Sequence, residues 1–458
     1  MSIRLAELAH RRVAVWGCGR EGRAALAALR ARARGLVPTL FCSEAEAAAL
    51  SAAGAPPALR VVAAPPDAAA LSAFDVVIKS PGISAYRPEI LEAQHNGTRF
   101  TSGTALWFAE QPQARVIAVT GTKGKSTVSA LIAHLLRALG RRTALAGNIG
   151  LPLLELLDPP AAPDWWVVEL SSFQTREAGR VAVGVINNVY EEHLDWHGTR
   201  ERYVDDKLAL AAAADVVVAN AGQAELLGRL AAHPRRVTFG DAAGWHVDGD
   251  AVARGADAVF ALARSPLRGP HNALNLCAAL AALEAAGEDA AAAAPAIATF
   301  RPLPHRLQTL GERGGVAYVD DSIATTPQAT LEALASLAGR PAVVLVGGHD
   351  RGLDWHGFAA QARRAPPHAI VTMGASGARI AGVLRAAGGA YRLESAGPLD
   401  EAFARAQALA PPGGVVLLSP GAPSFDQFRD YAERGRAFAQ LAGFDPDAIG
   451  SIPGLGIA

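Results

Sequence analysis

Short apolar runs, each closed by a polar or glycine-bearing turn and followed by an Ala/Leu-rich segment, recur along this chain and constrain its fold more than any other feature. They are Val13–Trp16, Val76–Ile78, Val116–Val119, Trp166–Leu170, Val183–Asn187, Val216–Val218, Val343–Val346, Ile370–Met373 and Val415–Leu418. Most are near-continuous rather than alternating, the pattern of parallel strands covered on both faces. Their alternation with helical segments predicts α/β layers throughout. At 458 residues, half of them hydrophobic, the chain is long for a single core and predicts about two to four domains. Two proline-broken seams, Gln111-Pro112-Gln113 and Phe300-Arg301-Pro302-Leu303-Pro304-His305-Arg306, divide it into 1–112, 113–302 and 303–458. The stretch Ala290–Ala294 reads as helix and loop, and no short-period repeat is evident.

The 43 basic and 43 acidic residues cancel. Such a chain offers no global field for nucleic acid or an anionic membrane, so any anion must be caught by a local site. Cys18, Cys42 and Cys277 are odd in number and widely spaced. They form no disulfide or metal pattern, as expected in a reducing compartment. The first residues lack the apolar core of a signal peptide, and no apolar run reaches the ~18–20 residues of a membrane span. A cytoplasmic monomer with no nucleic-acid and no membrane partner is expected.

The sharpest local pattern is Thr120-Gly121-Thr122-Lys123-Gly124-Lys125-Ser126-Thr127, between a strand and the helical segment Val128–Leu139. Glycines let successive backbone N–H groups face phosphate oxygens, and the helix N-terminus favours negative charge. Lys125 can reach the terminal phosphates, and Ser126 offers a hydroxyl to Mg²⁺. The leading glycine of a full Walker A loop is replaced by Val119. Downstream come Gly147-Asn148-Ile149-Gly150, Glu169-Leu-Ser-Ser-Phe-Gln174, and Asn188 through His193 to Asp195. Loops at strand C-termini are where open α/β sheets bind ligands. Glu169 is well placed there for a divalent cation. Near the N-terminus, Gly17-Cys-Gly19-Arg20-Glu21-Gly22 follows a strand and opens a helix. Taken alone that pattern fits a nicotinamide dehydrogenase, but the acid expected after the second strand is missing at Cys42-Ser43.

Together and in order, the phosphate loop, Gly147–Gly150, Glu169–Gln174, Glu192–Asp195, His271-Asn272 with Asn275, Leu303–Arg306, Asp321-Ser322 and Leu418–Ser424 resemble the Mur ligases, in particular their glutamate-adding branch. The resemblance covers essentially the whole chain. It implies three α/β domains: a Rossmann-like N-terminal domain for the UDP precursor, a central P-loop ATPase-type domain, and a Rossmann-like C-terminal domain for glutamate. It also implies ATP-dependent amide-bond formation on UDP-N-acetylmuramoyl-L-alanine, in which the precursor carboxylate is phosphorylated and an amine then displaces phosphate. Carried over by position, Gly121, Thr122, Lys123, Gly124, Lys125, Ser126 and Thr127 hold ATP phosphates. Asn275, Arg306 and Asp321 grip adenine, phosphates and ribose. Two Mg²⁺ ions are implied, with Ser126, Glu169, His193 and Lys207 around them, and Lys207 matches a lysine that becomes a carbamate. Lys125, Glu169, His193 and Lys207 form the implied catalytic set. Gly17, Gly19, Arg20, Glu21, Ser43, Ser80, Gly82, Asn148 and Gln174 match the precursor side. The Gly-rich N-terminus argues against a folylpolyglutamate-type relative, and the intact catalytic set against a mere nucleotide-binding regulator.

The glutamate side departs from the usual pattern. Where D-glutamate-adding enzymes carry Asp-Ser-Lys-Ala-Thr-Asn, this chain has Asp321-Ser-Ile323-Ala-Thr325-Thr, and Arg351 replaces a lysine in the Gly347-Gly-His-Asp-Arg loop. Ser424 retains its match, and Tyr431 stands where phenylalanine is usual. Arginine offers a planar fork where lysine offers a point charge, so carboxylate capture changes. These departures are similar to the subgroup that adds L-glutamate, with Thr325, Arg351, Ser424 and Tyr431 as the implied glutamate contacts.

Overall fold

Each apolar run expected as a strand is one, with ends shifted by a residue or two: Val13–Trp16, Val76–Lys79, Val116–Thr120, Trp165–Glu169, Val181–Ile186, Ala214–Asn220, Ala342–Val346, Ala369–Thr372 and Val415–Leu418. This computed structural model describes residues 3–52, 58–190 and 194–458. Its chain divides into two units, Met1–Phe300 with Gly454–Ala458, and Arg301–Pro453.

The first unit holds two sheets. In space the smaller one runs Arg60–Val62, Thr39–Phe41, Val13–Trp16, Val76–Lys79, Arg99–Thr101, with every pairing parallel. Strand order reverses between Val13–Trp16 and Val76–Lys79, which opens a crevice at their carboxyl ends. Three of these strands have only three residues, too few to show periodicity in a sequence.

The larger sheet has a parallel core in the order Thr143–Gly147, Trp165–Glu169, Val116–Thr120, Val181–Ile186, Ala214–Asn220, Arg236–Phe239. It continues into Trp245–Asp248, Ala251–Arg254 and Asp257–Ala261, and its other edge is closed by Gly456–Ile457, antiparallel to Thr143–Gly147. The two sheets share apolar packing through the helix Gly103–Glu110, which is buried over most of its surface, as a helix between layers must be. Its Trp107 is fully buried, with its ring 4.8 Å from that of Trp166. The segment Ala290–Ala293 is helical and passes into a 3-10 turn.

The second unit is a sheet ordered Gln308–Arg313, Val316–Asp320, Val415–Leu418, Ala342–Val346, Ala369–Thr372, Arg392–Ser395, parallel except at its first pair. Separate apolar clusters cover its two faces, around Tyr318, Phe403 and Phe438 on one and Trp355, Phe358 and Ile380 on the other.

Candidate active site

The phosphate loop leaves the central strand Val116–Thr120, and its geometry follows from sheet register. Val119 pairs with Glu169 on one side and with Val185 on the other, and Thr120 pairs with Ile186. The carboxylate of Glu169 and the amides of Asn187 and Asn188 therefore flank the loop by construction. Asn188 accepts the Lys123 N–H through Oδ1 at 2.8 Å and the Thr122 N–H through its carbonyl at 2.9 Å. Asn187 Nδ2 donates to the Lys123 carbonyl and to Asn275 Oδ1, both at 3.0 Å. Asn275 comes from the helix Pro270–Ala285, beside the helix Lys125–Ala138 that the loop opens. Gly124, at φ +79°, is the N-cap and supplies no side chain to the first-turn N–H groups. Such a terminus suits an anion.

Glu169 is 1% exposed. Its Oε1 accepts from Asn148 Nδ2 at 2.6 Å, while Oε2 is buried with no hydrogen-bond partner among the described residues. A buried carboxylate oxygen left so is costly unless a cation or donor arrives. The donor set therefore fits Mg²⁺: a carboxylate oxygen beside a phosphate loop bearing Ser126. Lys207, 2% exposed, donates from Nζ to the Gly121 carbonyl at 2.9 Å and lies 4.8 Å from the Tyr203 ring centroid. Tyr203 in turn hydrogen-bonds Thr122 Oγ1 at 2.7 Å. Lys125 Nζ turns back to the Thr122 carbonyl at 3.1 Å. His193 lies outside the described residues.

At the crevice of the smaller sheet, Gly17 has φ +100°, and a Cβ there would stand 2.5 Å from Ser80 Oγ. A Cβ on Gly22 would meet the Gly17 carbonyl at 1.9 Å, whereas Gly19 and Gly82 face open space. Ser80 Oγ is buried without a partner among the described residues, so this turn has room and an unmet hydroxyl for a ligand. Arg20 donates to the Gly150 carbonyl at 3.0 Å, joining the turn to the Gly147–Gly150 loop. Burial, with the nearby charges of Glu177 and Glu155, pushes the Glu21 carboxyl up to about 7. Burial likewise raises Glu177, against the opposing pull of Lys79, and lowers Lys79, itself 4% exposed.

Two residues expected on the precursor side are occupied locally. Gln174 accepts the Ser171 N–H at 3.1 Å and its hydroxyl at 2.8 Å, and donates to Thr104 Oγ1 at 3.1 Å. Ser43 and Glu46 exchange bonds as a capping box at the helix Glu44–Ala52.

Within the second unit, loops after three adjacent strands converge at their carboxyl ends: Asp321–Thr326, Gly347–Asp354 and Ser419–Ser424. Thr325 is half-buried, Arg351 exposed and Ser424 buried. Asp350 braces the middle loop with Arg379 at 2.6 Å, and the hydrogen bonds from Arg379 and the Gly352 amide hold its carboxyl down at about 2. Asp321 accepts from Ser419 Oγ at 2.7 Å and from the Leu307 N–H at 3.2 Å. Burial nonetheless pushes it up to about 7, against the pull of those bonds and of Arg306. Tyr431 accepts through its carbonyl from Ser322 Oγ at 2.8 Å. Arg434, 1% exposed, donates to Ser322 and Ala422, and burial lowers it to about 10.

Sequence reasoning gave no role to Asn187, Tyr203, His197 or Asp206. Asn187 had a legible signal, as a polar residue closing an apolar strand. The others meet partners that no local pattern names, Tyr203 at Thr122 and Asp206 at Tyr86 and His197.

Residues 119–283 match the Mur ligase middle domain and 305–421 the Mur ligase glutamate ligase domain. A UDP-N-acetylmuramoyl-L-alanine–L-glutamate ligase of Xanthomonas euvesicatoria is 53% identical over 99% of this chain and 100% of its own length. Its namesake from Xylella fastidiosa Temecula1 is 51% identical over the full length of both. Among solved structures, the UDP-N-acetylmuramate–alanine ligase of Thermotoga maritima superposes with a TM-score of 0.60 at 21% identity, covering 95% of this chain and 99% of its own. The Mycobacterium tuberculosis folylpolyglutamate synthase complexed with ADP reaches 0.58 at 18%, covering 74% and 93%. At those identities the likeness is one of fold.

Proposed function

Because the chain belongs to the Mur ligase family, we propose that it joins L-glutamate to UDP-N-acetylmuramoyl-L-alanine, with conversion of ATP to ADP and phosphate, in peptidoglycan precursor synthesis. Mur ligases are ATP-dependent amide-forming enzymes. The observation that carries the chemistry is Glu169 Oε2, buried without a hydrogen-bond partner among the described residues and set by strand register beside the phosphate loop. The names of the full-length relatives carry the substrates.

In this reading the precursor carboxylate attacks the γ-phosphorus, ADP leaves, and an acyl phosphate forms. The glutamate amine then attacks the acyl carbon, loses a proton, and phosphate departs. Lys125 neutralises charge developing on the phosphoryl group, and the amides at the start of the helix Lys125–Ala138 hold the phosphates. Asn187 and Asn188 fix the loop so that no reorganisation is needed during transfer. Mg²⁺ bound at Ser126 and Glu169 would supply Lewis-acid neutralisation of phosphate charge. A second ion is assigned to His193 and to Lys207 as its carbamate. Lys207 and CO₂ would give a carbamate and one proton, and the remaining Nζ–H keeps the bond to Gly121. Water must stay out, since it would hydrolyse the acyl phosphate.

The Gly17–Ser80 turn, with Gly19, Arg20, Glu21 and Gly82, is assigned to the precursor, and Thr325, Arg351, Ser424 and Tyr431 to glutamate. Arg306 and Asp321 keep their assignment to ATP on the family match. We infer three domains, 1–112, 113–302 and 303–458, although Gly456–Ile457, at the end of the last, pairs into the larger sheet of the first unit. No helix among the described residues is long and apolar enough to cross a membrane, and we assign a cytoplasmic monomer. The test is phosphate release with ATP, Mg²⁺, precursor and glutamate, omitting each in turn. Release that ignores precursor and glutamate would reject the ligase reading.

A further inference from the structure

Outside the phosphate loop, a buried polar cluster gathers on the dipeptide Trp196-His197. His197 is fully buried. Its Nδ1 lies 2.6 Å from Asp206 Oδ2 and its Nε2 lies 3.0 Å from Ser172 Oγ. Burial alone would raise the Asp206 carboxyl, but hydrogen bonds from His197, Arg176 and Tyr86 hold it below the ordinary range. His197 thus bridges Asp206 and Ser172 through its two ring nitrogens. The order Ser–His–Asp has the form of a nucleophile, base and orienting acid. Here Ser172 is 4% exposed and Asp206 1%, so no substrate reaches the hydroxyl. The array holds parts of the molecule in place.

The parts it holds come from three segments. Asp206 sits in the helix Arg200–Ala213 directly before Lys207, and its carboxylate also accepts from Tyr86 at 2.8 Å. Fixing Asp206 fixes the rotation of that helix, and with it the line from Lys207 to Gly121. Ser172 belongs to the segment Ser171–Gln174 that follows Glu169. Trp196, next to His197, donates from Nε1 to the Pro81 carbonyl at 3.0 Å, and its own carbonyl accepts from Ser84 Oγ at 2.5 Å. Its ring stacks on Phe173 at 4.6 Å, and Lys79 Nζ lies 5.6 Å from its centroid. One dipeptide thus binds the loop bearing Ser80 and Gly82, the segment after Glu169, and the helix of Lys207.

We propose that His197 is a positioning residue with two separable tasks: through Ser172 it sets the precursor-side segment, and through Asp206 it sets Lys207. The inference rests on the assignment of Ser80–Gly82 to the precursor side, on the family match that puts Gln174 there, and on the assignment of Lys207 to catalysis. Because carboxylate and phosphorus must meet in a narrow geometry, a small misplacement at either end costs rate or affinity.

The two ring nitrogens can be removed separately. In His197→Asn the amide nitrogen stands near Nδ1 and keeps the bond to Asp206, while contact with Ser172 is lost. In His197→Gln the longer side chain reaches the place of Nε2 and keeps Ser172, while the bond to Asp206 is lost. A neutral hydrogen bond corresponds to an effect of up to about tenfold, and one to a charged group to about tenfold or more. The Asn variant should raise the KM for the precursor by about tenfold, with kcat and the KM for ATP within about threefold. Ser172→Ala should reproduce it without disturbing the His197–Asp206 pair. The Gln variant should instead lower kcat by about tenfold and leave the precursor KM within about threefold. A purely structural role would move all constants and the Tm together in every variant, and that result, or wild-type constants in all three, overturns the inference. Wild-type enzyme measured alongside separates the two failures: no ligation by wild type rejects the proposed function, whereas ligation without the opposed KM and kcat effects rejects only this inference.

Discussion

Asn187 Nδ2 donates to Asn275 Oδ1 across 3.0 Å, and both atoms stand 2.5 Å from the point where Gly124 would carry a Cβ. The bridge joins a strand end to a helix 88 residues later in the chain and closes over the phosphate loop only because Gly124 is bare. With φ at +79°, the position also costs any other residue about 1–2 kcal/mol. Gly124→Ala should therefore break the bridge, and kcat/KM for ATP should fall at least about a hundredfold, as when preorganised donors are lost. Circular dichroism should show the fold retained. Wild-type kinetics in this variant would mean that the bridge has no part in nucleotide handling.

Glu21 gives unit Met1–Phe300 a distinctive pH dependence. Its carboxyl titrates at about 7 in the folded chain, against an ordinary 4.5. Between those values the folded state keeps a proton that the unfolded state has released. Stability from this site is thus highest below about pH 4.5 and falls as pH rises through about 7. Glu21→Gln removes the fall: the variant should match wild type near pH 4.5 and exceed it at pH 8, on the order of 2 kcal/mol. Asp321 shifts in the same direction but is present in both proteins, so it cancels in the difference. Denaturant midpoints at the two pH values decide it, and a difference independent of pH would place the Glu21 proton elsewhere.

The long strands were legible because burial on both faces forces uninterrupted apolar runs such as Val116–Val119 and Val415–Leu418. The strand Arg99–Thr101 escaped because three residues with polar ends carry no period, whereas Thr39–Phe41 was legible as the strand before Cys42-Ser43. The phosphate loop was legible because its chemistry is contiguous: glycine, lysine and serine must follow one another to wrap a phosphate. The partnership of Tyr86 with Asp206 spans 120 residues, and nothing in either neighbourhood names the other. Ser43 carries a second reading: its hydroxyl, expected as a ligand contact, also closes the capping box spelled by Ser43-Glu44-Ala45-Glu46.

Lys207 provides a test of its proposed carbamate. The side chain is buried against Gly121 and Tyr203, so Lys207→Ala leaves a void lined by the phosphate loop. The variant should retain less than about 1% of wild-type turnover, in line with loss of a metal-side anion. Short carboxylates such as formate or acetate should restore part of it, because they can occupy the void with the missing charge. A variant that is active without them would remove Lys207 from the chemistry, and one that they fail to rescue would leave it as an amine.

The most exposed expectation is enantiomer choice. With UDP-N-acetylmuramoyl-L-alanine, ATP and Mg²⁺, the protein should consume L-glutamate in strong preference to D-glutamate. Exchanging enantiomers swaps the directions of side chain and α-carboxylate around the attacking nitrogen. A pocket that keeps the amine in line must therefore move its carboxylate partners. In unit Arg301–Pro453 the loops bearing Thr325, Arg351 and Ser424 follow adjacent strands, and Ile323 offers no charge where D-glutamate enzymes have lysine. Arg351 is exposed on a loop that Asp350 and Arg379 brace, so its fork can be presented without rearranging the backbone. Arg351→Lys should raise the KM for L-glutamate by about tenfold or more, as a bidentate charged contact becomes a single one. It should not create D-glutamate use, because position 323 still lacks its cation. Consumption of D-glutamate by the wild-type protein would overturn the L assignment and leave the ligase chemistry standing, since the phosphate loop and Glu169 are assigned to the phosphoryl step that precedes the choice of enantiomer.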